Sequence, residues 1–196
     1  MSRMTMFLCL LLVVCVPLAA EHHEKEAASV YGGTLAMNFE YVSGQLVQLA
    51  DAMPEATYGW RPSDEVRTTS EVIMHVVGTN MMMPVMVGAA PAEGFEMPEN
   101  PFALAKELEA NVTSKADVKA KLQESIAYAK GALTDFPEEE LDKEVDMFGM
   151  KMRKRDALLI MLSHSHEHLG QLIAYARSNG VKPPWSQPMP EAPPEQ

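Results

Sequence analysis

The run from Lys154 to Ser178, KRDALLIMLSHSHEHLGQLIAYARS, decides the fold. It contains no proline, its apolar residues recur at helical spacing, and Asn179-Gly180 beyond it forms a helix stop. Four residues advance an α-helix by about 400°, so His164 and His168 share one face, one turn apart. Met161, Gln171, Leu172 and Tyr175 lie on the same face, which therefore points inward. His166 stands about 200° around from His164 and points elsewhere.

Upstream, residues 145–152 contain Phe148-Gly149 and read as a tight turn between two short strands. Phe136-Pro137 stops a helix that Ser114-Lys115-Ala116-Asp117 opens as a capping box, with Val118, Leu122, Ile126 and Leu133 along it. A short helix from Phe102 to Ala110 follows a Gly- and Pro-rich loop at 88–101. Another helix opens on Thr69 or Ser70 as its cap, with Glu71 in the first turn. It carries Val72, Ile73, His75, Val76 and Thr79, and Pro84 kinks or stops it. The first helix runs from about Glu24 to Ala52 through Val30, Leu35, Met37, Phe39, Val42, Leu46 and Leu49. A polar loop bearing Tyr58, Trp60 and Pro62 joins the two. Four substantial helices without long strands predict an all-α four-helix bundle with long loops and a Pro-rich C-terminal tail.

The two ends fall outside that bundle. Residues 1–20, MSRMTMFLCLLLVVCVPLAA, combine one basic residue, an apolar stretch and small residues near Ala20. That is the pattern of a secretory signal peptide, too short for a good membrane span. The expected organisation is a signal peptide at 1–20, one domain at 21–186 and a Pro-rich tail at 187–196. The location is then periplasmic or extracellular, with no stable membrane insertion after cleavage. Both cysteines, Cys9 and Cys15, leave with the signal, so the mature chain has no disulfide and no thiol nucleophile.

At 196 residues, 47% hydrophobic, the chain supports one domain with a real core. The formal charge of −11 disfavours nucleic acid and anionic lipid as partners.

Chemistry points to the histidines. An i,i+4 pair on an inward face can hold two positions of a transition metal, and a third ligand must come from elsewhere. His75 is the candidate, a lone polar ring among apolar neighbours. Burying an unpartnered imidazole costs on the order of 1–3 kcal/mol, so something satisfies it. One reading is a divalent ion held by His75, His164 and His168. The other is a solvated patch at 164–168 with His75 bonded to a carbonyl.

The segment PEATYGWRP (54–62), Ser70-Glu71-Val72-Ile73-Met74-His75, the H-x-x-x-H-x-G-Q pattern from His164 to Gln171, and the ending at 175–184 together resemble the DinB-like superfamily. The resemblance spans about residues 26–186. It implies a four-helix bundle, frequently a homodimer, in which three histidines bind a divalent metal, zinc or nickel. By motif position those ligands are His75, His164 and His168, with His166 outside the set. It further implies a metal-dependent enzyme, hydrolase- or transferase-like, acting on a small molecule. Some relatives activate a small thiol, a chiefly cytoplasmic resource that an exported chain would lack. No general base stands out. Glu71 and Glu167 face solvent or orient ligands, Gln171 and Tyr175 serve packing or support of the ligands, and Tyr58 and Trp60 cover a core edge or line a pocket mouth.

Two further readings come from the residues alone. A non-catalytic metal- or small-ligand-binding bundle is one. A copper-handling protein is the other, using the methionines at 81–83, 86, 147, 150 and 152, or an N-terminal Glu21-His22-His23 chelate.

Overall fold

The computed structural model describes residues 30–186. The signal peptide, the Glu21-His22-His23 segment, the first turns expected of the opening helix, and the 187–196 tail lie outside them.

Four long helices form the bundle: α1 (Val30–Ala52), α2 (Thr69–Met86), α4 (Lys115–Thr134) and α5 (Lys154–Ser178). They pack in a closed ring, with α1 against α4 and α5, and α2 against the same two from the opposite side. The short α3 (Pro101–Asn111) lies outside the ring on α2. A two-residue hairpin joins β1 (Glu144–Met147) to β2 (Met150–Arg153), pairing Met147 with Met150. No helix among the described residues is long and apolar enough to cross a membrane.

The core is the inner face of each helix. Phe39, Val42, Leu46 and Leu49 of α1 meet Val72, Ile73 and Val76 of α2, Val118, Leu122 and Leu133 of α4, and Leu158, Met161 and Leu172 of α5. At roughly 1.5–3 kcal/mol per fully buried large side chain, this burial outweighs the modest local propensity of α1. Met37 departs from the expected stripe. It is 64% exposed, because only positions spaced by three and four share the inner face. Val30 is exposed as well.

Helix ends refine the sequence reading. The cap of α2 is Thr68, one residue earlier than expected, and Thr69 and Ser70 are buried in the first turn. Thr68 Oγ1 accepts from Glu71 N, while Glu71 Oε2 accepts from Thr68 N at 2.7 Å, a complete capping box. Pro84 lies inside α2 and does not stop it there, the helix continuing to Met86. Ser114 caps α4 through Asp117 N, as its spacing predicts. At the far end of α5, Val181 N donates to Ala176 O at 2.9 Å and Gly180 N to Arg177 O at 3.0 Å. Beyond it, Pro184–Ser186 makes one 3-10 turn against α1, and Pro183 is buried. Proline is compatible with such a turn because its φ is already set.

The loop aromatics cover the core. Tyr58 is buried and donates its hydroxyl to Ala50 O at 2.8 Å. Trp60 meets Tyr175 edge-on at 5.2 Å.

Candidate metal centre

His75 projects from the middle of α2, and His164 and His168 from consecutive turns of α5. The α2–α5 contact brings the three rings together: His164 Nε2 lies 3.1 Å from His75 Nε2 and 3.1 Å from His168 Nε2. Ring centroids are 4.4–4.9 Å apart. His166 points away on the solvent side, its Nδ1 3.1 Å from Leu162 O. Among the described residues, His75, His164 and His168 are the cluster that could hold a metal ion.

The surrounding bonds assign the proton positions. Tyr175 donates its hydroxyl to Arg67 O at 3.0 Å, so its oxygen accepts from Gln171 Nε2 at 3.0 Å. That orientation of the amide turns Gln171 Oε1 toward His168 Nδ1 at 2.9 Å. Nδ1 therefore carries the proton and Nε2 presents a lone pair. On the opposite side Glu109 Oε1 of α3 lies 3.3 Å from His75 Nδ1, in ion-pair range though not aligned as a hydrogen bond. The same carboxylate oxygen accepts from Arg67 Nε at 3.0 Å. The carboxylate favours a proton on His75 Nδ1, leaving that Nε2 bare too.

This arrangement passes a direct test of fit. His164 Nε2 has two bare imidazole nitrogens within 3.1 Å and could direct a proton at only one of them. Its own Nδ1 is buried without a hydrogen-bond partner. A shared cation relieves the lone-pair crowding. Nitrogens 2.0–2.1 Å from a tetrahedral ion stand about 3.3 Å apart, close to the two 3.1 Å spacings at His164 Nε2.

Burial keeps His75 and His164 neutral, as ligands must be. It is the largest cause lowering His75 to a pKa of about 4, helped by the Arg67 guanidinium and by His168. It likewise lowers His164 to about 3, helped by His168, His75 and Arg67. Protonation of metal-free protein therefore follows a definite sign. Between pH 6.5 and about 4 the unfolded chain takes up protons that these folded rings refuse, so stability present above pH 6.5 falls as the pH drops through that window. Chelator-treated protein should melt at a lower temperature at pH 4.5 than at pH 7. A His75→Gln/His164→Gln variant should lose part of that difference; an identical slope in both proteins would contradict the assignment.

Glu109 and Arg67 were not singled out from the sequence. Glu109 belongs to an exposed-looking turn of a short helix, and only its distance from His75 in three dimensions reveals it. Glu71 is committed to the capping box and Glu167 is exposed, so neither stands as a general base. Of the methionines named for copper, Met82, Met83 and Met147 are buried while Met150 is exposed.

Gln171 gives the sharpest test of the tautomer chain. Gln171→Leu should weaken metal affinity by about 10–100-fold in a chelator competition, while Gln171→Glu, which keeps an acceptor, should lose less. Equal affinity in all three proteins would remove Gln171 from the centre.

A helical bundle with three inward histidines from its second and last long helices defines a class of protein. The sequence profile of the DinB superfamily matches residues 38–172, and the chain belongs to that superfamily. Solved structures agree on the fold. A DinB-like protein from Bacillus cereus ATCC 10987 has a TM-score of 0.63 at 17% identity, over 78% of this chain and 95% of that one. A DinB-like protein from Bacillus subtilis has a TM-score of 0.61 at 20% identity, over 80% and 96%. A conserved protein from Enterococcus faecalis has a TM-score of 0.58 at 15% identity, over 77% and 97%. No curated protein matches the chain.

Proposed function

We propose that this chain is an exported metalloprotein in which His75, His164 and His168 hold one divalent ion, zinc or nickel, through their Nε2 atoms, and that it is a metal-dependent enzyme of hydrolase or transferase type. The observation that carries the reading is the pair of 3.1 Å Nε2 contacts at His164, with the flanking protons directed outward by Gln171 and Glu109. Three protein ligands fit a catalytic rather than a closed structural site, because one position stays free for a small molecule. A cavity of about 210 Å³ opens directly on His75 and His164, far larger than one water requires.

An ion in this site supplies Lewis-acid polarisation of a coordinating oxygen or sulfur group. The protein's own residues do the positioning. Gln171, fixed by Tyr175 and the Arg67 carbonyl, holds the His168 ring and its proton. Glu109, paired with Arg67, holds His75. The buried faces of α2 and α5 limit water around the three rings. Neither Glu71 nor Glu167 is placed as a general base, and the same apolar cavity favours a non-catalytic binding module as the second reading. Homodimerisation, a further expectation, is checked by light scattering at micromolar concentration.

Elemental analysis of untagged protein purified from the exported fraction tests the proposal. About one equivalent of zinc or nickel per chain is expected. Protein recovered folded and exported but free of transition metal would reject the centre, and protein retained in the cytoplasm would reject export.

A further inference from the structure

The cavity beside the histidines is walled by Met82, Met83, Phe102, Ala105, Phe148 and Ile160. Thr79, the remaining lining residue, donates its hydroxyl to the His75 carbonyl at 3.2 Å and so turns its polar atom into the helix. The wall is apolar throughout, the two imidazoles bordering it with their ring carbons. We propose that this cavity is a substrate subsite for an apolar group of about six to eight carbons, aliphatic or phenyl, carried by a molecule whose polar head meets the three histidines. The proposal rests on the metal reading only for the head group; the apolar slot is formed by protein side chains alone.

Size and continuity favour a small molecule. An apolar cavity of about 150 Å³ takes up benzene, so roughly 210 Å³ accommodates a slightly larger group. A helix or peptide could not enter it. The cavity borders the rings of His75 and His164, so an occupant there lies beside the histidine cluster.

The hairpin supplies an independent observation. Phe148 and Gly149 occupy the two turn positions at φ 57° and 83°. Such turns favour Asn, Asp or Gly at the first position, because a side chain with a Cβ is strained at positive φ. Gly149 fits its position, and its N–H donates to Asp146 Oδ1 at 2.7 Å. Phe148 does not fit, and it is the only described non-glycine residue at positive φ. In that strained position its ring meets Phe102 at 4.7 Å over the cavity, although Phe148 remains 48% exposed and Phe102 55%. Ile160 completes the rim at 48%. Three large apolar side chains left half-open beside the histidines, one of them against its backbone preference, are explained by a ligand that packs on them.

The test uses two probe series on the purified protein. Calorimetry on zinc-loaded protein compares acetohydroxamate with octanohydroxamate, which share a chelating head. Metal-free protein is titrated with 1-hexanol, which has none. We expect octanohydroxamate to bind at least about tenfold more tightly and hexanol to bind without metal. Phe148→Asn should raise the melting temperature by relieving the turn, yet abolish the preference for the longer chain. Equal affinity for the two hydroxamates, together with no hexanol binding, overturns the subsite. Hexanol binding with neither hydroxamate bound keeps the subsite and rejects the metal centre. A concentration-dependent dimer that Ile160→Arg dissociates, with no probe bound, assigns the face to a second copy of the chain and also overturns it.

Discussion

His164→Ala should drop bound metal from about one equivalent per chain to below about a tenth, whereas His166→Ala should leave it nearly unchanged. The two histidines are separated by two positions on the same helix, so any general effect of losing an imidazole from α5 would strike both. Geometry separates them. His164 Nε2 is the middle atom of the cluster, in contact with both His75 and His168, while His166 lies on the solvent side. His75→Ala should fail like His164→Ala, because His75 is the ring that α2 contributes. Retention of metal after His75→Ala would reduce the centre to the α5 pair, and equal losses at 164 and 166 would show that the bound metal is not held by this face. Circular dichroism on each variant keeps the comparison among folded proteins. The alanine at 164 also removes a buried Nδ1 that has no partner, so its folded state should not suffer beyond a modest cavity cost.

Periodicity made the bundle legible because each long helix buries one stripe, and the same periodicity put His164 and His168 together before any tertiary contact was known. His75 was legible for a different reason: a polar ring amid Val72, Ile73 and Val76 requires a partner. What pairs across the chain was not legible. Glu109 reaches His75 only because α3 folds back onto α2, and α3 is a short helix whose pattern is too weak to orient. Phe148 read as part of a turn, and nothing local indicated that the turn would carry its ring over the histidines. The cap of α2 lies at Thr68 rather than Thr69 or Ser70 for a simpler reason. Thr68, Thr69 and Ser70 are all good caps, and only the backbone shows that Thr68 is extended, with φ −68° and ψ 168°.

The α2–α3 contact that brings Glu109 and Phe102 to the site is tight at Gly78. A Cβ placed on Gly78 would stand 3.1 Å from Ala105 Cβ and 3.2 Å from Ala105 Cα, with helix backbone behind it. Gly78→Val should therefore force α3 outward and cost about 3 kcal/mol, a fall of roughly 6–12 °C in melting temperature. The consequence should reach beyond stability, because Ala105 and Glu109 are one helical turn apart and move together. Withdrawal of Glu109 leaves His75 Nδ1 without its carboxylate, so metal affinity should fall by about 10-fold or more in the same variant. Withdrawal of Phe102 opens the cavity wall, so the longer hydroxamate should lose its advantage too. Pairing Gly78→Ala with Ala105→Gly exchanges the methyl across the contact and should recover most of what Gly78→Ala alone loses, in both melting temperature and metal affinity. An unchanged melting temperature in Gly78→Val would mean that α3 does not rest on α2 at this point. A lower melting temperature with undisturbed metal affinity would separate Glu109 from the centre and leave His75 held by α2 alone.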